Sequence, residues 1–310
     1  MRRAAPDAPC PERLLAEADR LLEAQARRGV AVLAFGDPAY PARLLDLGDP
    51  PPVLFVRGTL PATPTLAVVG TRALDAAGER VTRLCAQAGL DAGRAIVSGG
   101  ALGADTVAHL EAVEAGVPTV AVLGSGLDLP FPSENVRLFE RVAANGAVVS
   151  ELLPSHPSNR WTFPRRNRLV AALAHDVVVS RAPRKSGALI TADLAFKLGR
   201  PVWCAPGDPT DPLAAGTLDL LARGARPVLS RQAFAKALGA TAAPARAEPE
   251  LPAGSPDATA VLAALAGGPS DADSLAEATR LPARRLATVL TELELDERVR
   301  REGASFVRVR

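Results

Sequence analysis

Between residues 65 and 205, short apolar runs alternate with longer stretches whose apolar positions follow a helical period. The runs at 66–69, 95–98, 119–123, 147–150, 176–179 and 202–205 read as strands. The stretches at 76–92, 104–115, 134–145, 165–174 and 188–198 read as the helices between or after them, with one more at 214–223. Strands that are apolar throughout, joined by helices of this length, predict a mostly parallel sheet covered on both faces. Right-handed crossovers then make it a doubly wound α/β fold.

The flanks follow other patterns. Residues 12–28 place Leu14, Leu15, Ala18, Leu21, Leu22 and Ala26 on an amphipathic helix. Short strands follow at 30–35 and 53–57, separated by the punctuation of Asp37-Pro38 and Asp49-Pro50-Pro51-Pro52. Residues 239–257 are rich in Ala, Pro and Glu without an apolar period and read as a linker. Beyond it, helices are predicted at 259–266, 271–279 and 282–295, the last with Leu286, Val289, Leu290 and Leu293 on one face. Ser270 and Asp271 are candidate caps for the second. Segments 298–301 and 305–309 flank Gly303 and predict a hairpin, so three helices and a hairpin make a winged helix. The expected organisation is an N-terminal helical extension over 1–29, a large α/β domain over 30–238, the linker, and a winged-helix domain over 258–310.

The net charge of +2 is too small for attraction to nucleic acid through the overall field, so any such attraction must come from local clustering. Only Lys185, Lys197 and Lys236 are lysines among 36 basic residues, a bias that a GC-rich genome explains as well as any ligand does. Cys10, Cys85 and Cys204 are far apart and lack metal-ligand spacing, as expected of thiols in a reducing compartment. No run of about 18 apolar residues is present, so neither membrane insertion nor secretion is expected, and the expected location is cytoplasmic.

The chemistry gathers at the predicted carboxyl ends of the strands, where ligands of open parallel sheets bind. These ends run into Gly70-Thr71-Arg72, Ser98-Gly99-Gly100-Ala101-Leu102-Gly103 and Gly124-Ser125-Gly126. Glycines let backbone approach a ligand, and amides at a helix start attract anions. Two further segments, Phe163-Pro164-Arg165-Arg166-Asn167-Arg168 and Lys185-Ser186-Gly187, add positive charge without a nucleophile and its base. Arg72, Arg165, Arg166, Arg168 and Lys185 are candidate phosphate ligands, the arginines because guanidinium forks pair with phosphate oxygens. At least one arginine of the 165–168 cluster is expected to be structural, bridging to a carboxylate such as Glu151 or Asp128. Phe163 and Trp161 suit either base stacking or a place in the core. No G-x-G-x-x-G and no G-x-x-x-x-G-K-[ST] is present, so neither a dinucleotide site nor a P-loop is expected. His109, His156 and His175 lack metal spacing, and His109 is expected to fix helix packing.

Taken in order, these pieces resemble the DNA-processing protein A (DprA/Smf) family. The resemblance rests on Tyr40-Pro41, Pro51-Pro52-Val53-Leu54-Phe55-Val56-Arg57-Gly58, Val68-Val69-Gly70-Thr71-Arg72, the run from Val97 through Gly99-Gly100 to His109, Gly124-Ser125-Gly126-Leu127-Asp128, Ser150-Glu151, the Phe163 segment, residues 185–192 and Pro206-Gly207. It spans roughly residues 30–230, and Leu293-Glu294-Leu295 before the basic hairpin resembles the winged helix of many members. It implies a Rossmann-like domain that binds single-stranded DNA in natural transformation and recombination. It further implies protection of incoming strands, loading of the RecA recombinase, a homodimer, no cofactor and no catalysis. Carried onto this chain, Gly70, Thr71, Arg72, Ser98, Gly99, Gly100, Phe163, Arg166, Asn167, Arg168, Lys185, Ser186 and Gly187 would line the DNA pocket. Two departures stand out: Ser180-Arg181 where the family usually carries an acidic residue, and Gly216-Thr217-Leu218 where a Gly-Ser/Thr-Asn segment is expected. The alternative is a nucleotide phosphoribohydrolase of the lysine-decarboxylase-like family, which shares the layout but expects Pro-Gly-Gly-x-Gly-Thr with a nearby glutamate. A third reading has the winged helix contact duplex DNA through Arg284 and Arg285, against which the acidic Glu292, Glu294, Asp296 and Glu297 weigh.

Overall fold

A computed structural model describes residues 11–240, 256–295, 298–303 and 305–308. Cys10, most of the expected linker, and Asp296 and Glu297 lie outside the described residues. The chain divides into two compact units, Met1–Thr241 and Ala242–Arg310.

The first unit begins with α1 (Pro11–Arg27), β1 (Val30–Ala34) and β2 (Val53–Gly58). Then come β3 (Thr65–Val69), α2 (Ala76–Asp91), β4 (Ala95–Ser98), α3 (Ala104–Glu114), β5 (Thr119–Val122), α4 (Val136–Asn145) and β6 (Ala147–Ser150). It closes with α5 (Thr162–Leu173), β7 (Asp176–Val179), α6 (Gly187–Lys197), β8 (Val202–Cys204), α7 (Ala215–Ala222), β9 (Arg226–Pro227) and α8 (Arg231–Ala237).

Nine strands form one sheet in the order β1-β2-β6-β5-β4-β3-β7-β8-β9. The strands from β6 to β9 in that order run parallel, while β1 and β2 extend one edge antiparallel. The parallel strands are buried on both faces, and the two-residue period sends neighbours into different cores. Leu66 and Val68 of β3 pack with Cys85, Ala108 and Phe234 of α2, α3 and α8. Ala67 and Val69 pack with Leu169, Ala172 and Ala192 of α5 and α6. Helices therefore cover both faces, and the doubly wound, Rossmann-like architecture is what the alternating pattern predicts.

Several details differ from that pattern. The helix α5 begins at Thr162 rather than at Arg165. Pro164 sits in its first turn, where its missing N–H removes no helical bond, so the proline does not mark the start. The helix expected from 134 opens as a 3-10 turn, Ser133–Asn135, before α4. The short α8, capped by Ser230 accepting from the Ala233 amide at 3.1 Å, is too brief to show a helical period. β1 and β2 join the main sheet through pairing of β2 with β6, a contact across about ninety residues that no local pattern announces.

The second unit contains α9 (Pro256–Ala264), β10 (Ser270–Asp271), α10 (Ala272–Thr279), α11 (Ala283–Leu295), β11 (Val299–Glu302) and β12 (Ser305–Arg308). Leu286, Val289, Leu290 and Leu293 of α11 enclose a core with Val261, Leu275 and Phe306. Asp271 caps α10, accepting from the Ser274 amide at 2.8 Å. The expected hairpin forms, and β10 adds to it in the order β10-β12-β11, which gives a winged helix.

Candidate functional site

In the parallel sheet the chain steps outward from β3 in one direction through β4, β5 and β6, then returns to add β7 and β8 on the other side of β3. The crevice at such a reversal, beyond the strand carboxyl ends, is where this architecture binds ligands. A cavity of about 810 Å³ lies there. Gly70, Thr71 and Arg72 enter it from the β3–α2 loop, Gly99 and Ala101 from the loop after β4, and Lys185, Ser186 and Gly187 from the loop before α6. Phe131 comes from the segment before α4, and Ser158, Asn159, Arg160, Phe163, Arg166 and Asn167 from the entry and first turns of α5.

The cations here fall into two kinds. Arg72, Arg160 and Lys185 are exposed and, among the described residues, form no ion pair. The Arg72 guanidinium lies 5.1 Å from the centroid of the Phe163 ring, and Phe163 packs against Phe131 at 5.7 Å. Such placement holds a cation on an aromatic face while leaving its N–H donors for a ligand. The amino end of α6 adds partial positive charge, with Ser186 accepting from the Ala188 amide at 3.3 Å.

Arg166 behaves differently. It is 5% exposed and donates to the carbonyls of Gly99 and Val122. Burial lowers its pKa to about 10, opposed by the neighbouring Asp105 and reinforced by Arg72. Asp105 is itself raised by burial and restrained by Arg166, and it accepts from the Ala101 amide at 3.1 Å. Arg166 thus reaches the cavity from a buried position, and its bond to the Gly99 carbonyl ties α5 to the loop after β4. Arg168 does not reach the cavity at all. It bonds to Glu151 and donates to the Asp49 carbonyl at 2.9 Å, fastening α5 to the β6 end and the segment before β2. Burial raises the Glu151 carboxyl, and Arg168 opposes this.

The remaining predicted residues divide in the same way. Asn167 lines the cavity and braces it, donating to the Gly187 carbonyl at 3.2 Å. Ser98 is fully buried, donating to the Val68 carbonyl at 2.6 Å, and lies outside the lining. Gly100 also lies outside: its φ of +69° and the Phe139 ring 2.6 Å from a would-be Cβ explain the glycine. Gly99 lines the cavity, yet a Cβ there would meet the Arg166 guanidinium at 2.4 Å. At both positions the missing Cβ lets protein approach protein.

His109 is wholly buried, with Nδ1 2.8 Å from Thr119 Oγ1. Burial, and then Arg166, push its pKa down to about 3, so it is a neutral packing group as expected. Arg181, at one departure from the family pattern, is bonded to Asp75 at 3.0 Å and to Asp211 at 2.5 Å, so its charge is matched locally. Phe131 and Arg160 were not singled out from sequence. Arg160 precedes α5 by two residues, and the only local sign was a basic residue beside Trp161. Phe131 stands between Pro130 and Pro132 with no periodic signal. Among the described residues no cluster of His, Cys, Asp and Glu could hold a metal, and no helix is long and apolar enough to cross a membrane.

The profile of the family described as DNA recombination-mediator protein A matches residues 31–239. The chain belongs to this family. A second profile, the DprA winged helix domain, matches residues 242–304. The chain is 40% identical over 227 residues to Protein Smf of Synechocystis, covering 71% of this chain and 57% of that protein. It is 39% identical over 198 residues to DNA processing protein DprA of Streptococcus pneumoniae, covering 63% of this chain and 70% of that one. The X-ray structure of DprA from Streptococcus pneumoniae superposes with a TM-score of 0.64 at 34% identity, covering 74% of this chain and 82% of that chain. DNA processing protein A from Helicobacter pylori, solved to show its single-stranded DNA binding mode, superposes with a TM-score of 0.61 at 31% identity, covering 67% and 95%.

Proposed function

We propose that this protein binds single-stranded DNA in the switch-point cavity and serves recombination without itself performing catalysis. The observation that carries the reading is the set of exposed cations Arg72, Arg160 and Lys185, without an ion pair among the described residues, around the aromatic pair Phe131 and Phe163. Cations on the backbone with aromatics under the bases is how single strands are held without sequence preference. Family membership supports the same reading, as does the DNA-binding mode of the Helicobacter pylori relative. In this reading Gly70, Thr71, Arg72, Gly99, Phe163, Asn167, Lys185, Ser186 and Gly187 form the binding surface, and Arg166 supports it from beneath. Ser98, Gly100 and Arg168 act only by shaping the fold around it.

The cavity offers little for a hydrolase. Its lining carries Asp105 as its carboxylate, which is buried against Arg166. The further reading is of a cytoplasmic homodimer that protects strands during natural transformation and hands them to the RecA recombinase. The winged-helix unit then serves as a protein-contact module. A gel-shift comparison of single- and double-stranded oligonucleotides at two salt concentrations tests the binding step. Preferential retention of the single strand, weakening steeply with salt, is expected; equal affinity for both forms, or none, overturns it. Free base released from nucleoside monophosphates would point to the phosphoribohydrolase alternative instead.

A further inference from the structure

The two tryptophans of the chain sit in opposite surroundings. Trp203 is 7% exposed, and its indole N–H donates to Asp176 at 3.1 Å. Trp161 is 69% exposed and, among the described residues, its indole N–H has no partner. Its backbone is nevertheless held firmly. Asn159 Oδ1 accepts from the Trp161 amide at 2.9 Å and from the Thr162 amide at 3.2 Å. Thr162 Oγ1 returns the contact to Asn159, donating to its carbonyl at 2.9 Å and accepting from its amide at 3.1 Å. These bonds present an exposed indole at the start of α5. The Arg160 guanidinium, which also lines the cavity, lies 4.7 Å from the centroid of that indole.

An isolated exposed aromatic needs no explanation. Trp161 is not isolated: Arg160 joins it to a cavity whose other aromatic faces, Phe131 and Phe163, lie two and more residues away in the chain. Arg160 covers part of the indole and leaves most of it open. It also carries positive charge from the cavity lining to the indole. We propose that Trp161, backed by Arg160, is a second base-stacking subsite outside the cavity that takes an unpaired nucleobase from the strand held within. This rests on the single-strand reading of the cavity and extends its footprint past the rim. Because a π-face accepts any base, the subsite adds affinity without sequence preference. Because the indole touches a base and no phosphate, replacing Trp161 leaves the salt dependence unchanged.

The test uses the full chain with an oligothymidylate carrying a fluorescein label for anisotropy, and the same strand unlabelled for tryptophan emission. Trp161 is exposed, so its emission is expected to be quenched on binding, while buried Trp203 reports that the fold is intact. Trp161→Phe should abolish most of the quench and hold affinity within about threefold, since a smaller ring still stacks. Trp161→Ala should weaken binding roughly tenfold with an unaltered salt slope. A fully abasic strand of equal length should leave the emission unquenched. Anisotropy that reports wild-type binding, together with unquenched emission and an undiminished Trp161→Ala affinity, overturns the subsite and leaves the cavity reading standing. Failure of the unsubstituted protein to bind in anisotropy overturns both.

Discussion

Arg166 and Arg168 lie within two residues of each other on α5 and are 5% and 7% exposed, while Arg72, Arg160 and Lys185 stand in solvent at the same end of the sheet. The buried pair meets its charge inside the protein, Arg166 with Asp105 and two carbonyls, Arg168 with Glu151 and the Asp49 carbonyl. The exposed set has no internal counterpart among the described residues. Desolvating a guanidinium is costly, so one taken into the fold needs its partners there and has little left for a ligand. One left outside costs little and keeps its donors free. Within the short stretch from Arg160 to Arg168, the same residue type is thus either fastened inside the fold or left open in solvent, according to where the backbone carries it.

That contrast can be broken at several points. Arg168→Ala should be the most damaging change, because it strands the buried Glu151 carboxylate; a loss of about 3–5 kcal/mol of unfolding free energy is expected in denaturant melts. Arg166→Ala should cost about 3 kcal/mol by leaving the Gly99 and Val122 carbonyls without their donor and the buried Asp105 without its neighbouring charge, and any loss of DNA binding should track the loss of fold. Were either variant as stable as the parent, the division drawn above would be wrong.

Acid provides the next probe. The folded pKa of His109, about 3, lies below its ordinary value of 6.5, so the unfolded chain binds the proton first. This contribution is complete above about pH 6.5 and is lost as the pH falls toward 3. Asp105 and Glu151, whose pKa values are raised, run the other way and favour the fold as the pH falls through the carboxylate range. Stability measured across that window should fall less steeply in His109→Gln than in the parent.

On the exposed side the effects move from stability to affinity. Arg72→Ala and Lys185→Ala should each leave stability within about 0.5 kcal/mol. Each should weaken single-strand binding roughly tenfold and flatten the log–log salt dependence by about 0.7. Unchanged affinity in both would remove the cavity from the binding surface. Arg165→Ala should have the smallest effect of all. Arg165 is 60% exposed, 3.4 Å from Glu151 and outside the lining, so less than about 0.5 kcal/mol and no change in affinity are expected.

The strands and helices of the sheet were legible because each carries its own signal in a few adjacent residues: an apolar run for β4 or β7, a helical period for α2 or α3. The strand-end loops, and with them Arg72 and Lys185, could be placed on one edge because parallel connectivity forces it. Arg160 and Phe131 escaped notice, since neither sits in a periodic segment and both earn their position only when the α5 entry and the segment before α4 converge. Gly99 lines the cavity, but its neighbour was not legible in the sequence, because close approach to a ligand and close approach to Arg166 demand the same missing Cβ.

The sequence by itself determined the alternation of strand and helix, the parallel edge rich in glycine and arginine, and the winged helix with its own core. These follow from local periodicity and from the short reach of turn chemistry. Only the tertiary structure decided which arginines are fastened inside the fold and which stand in solvent, that β2 pairs with β6, and that Trp161 remains exposed while Trp203 is enclosed. Burial and charge pairing are properties of what surrounds a side chain, and those surroundings come from segments far apart in the chain.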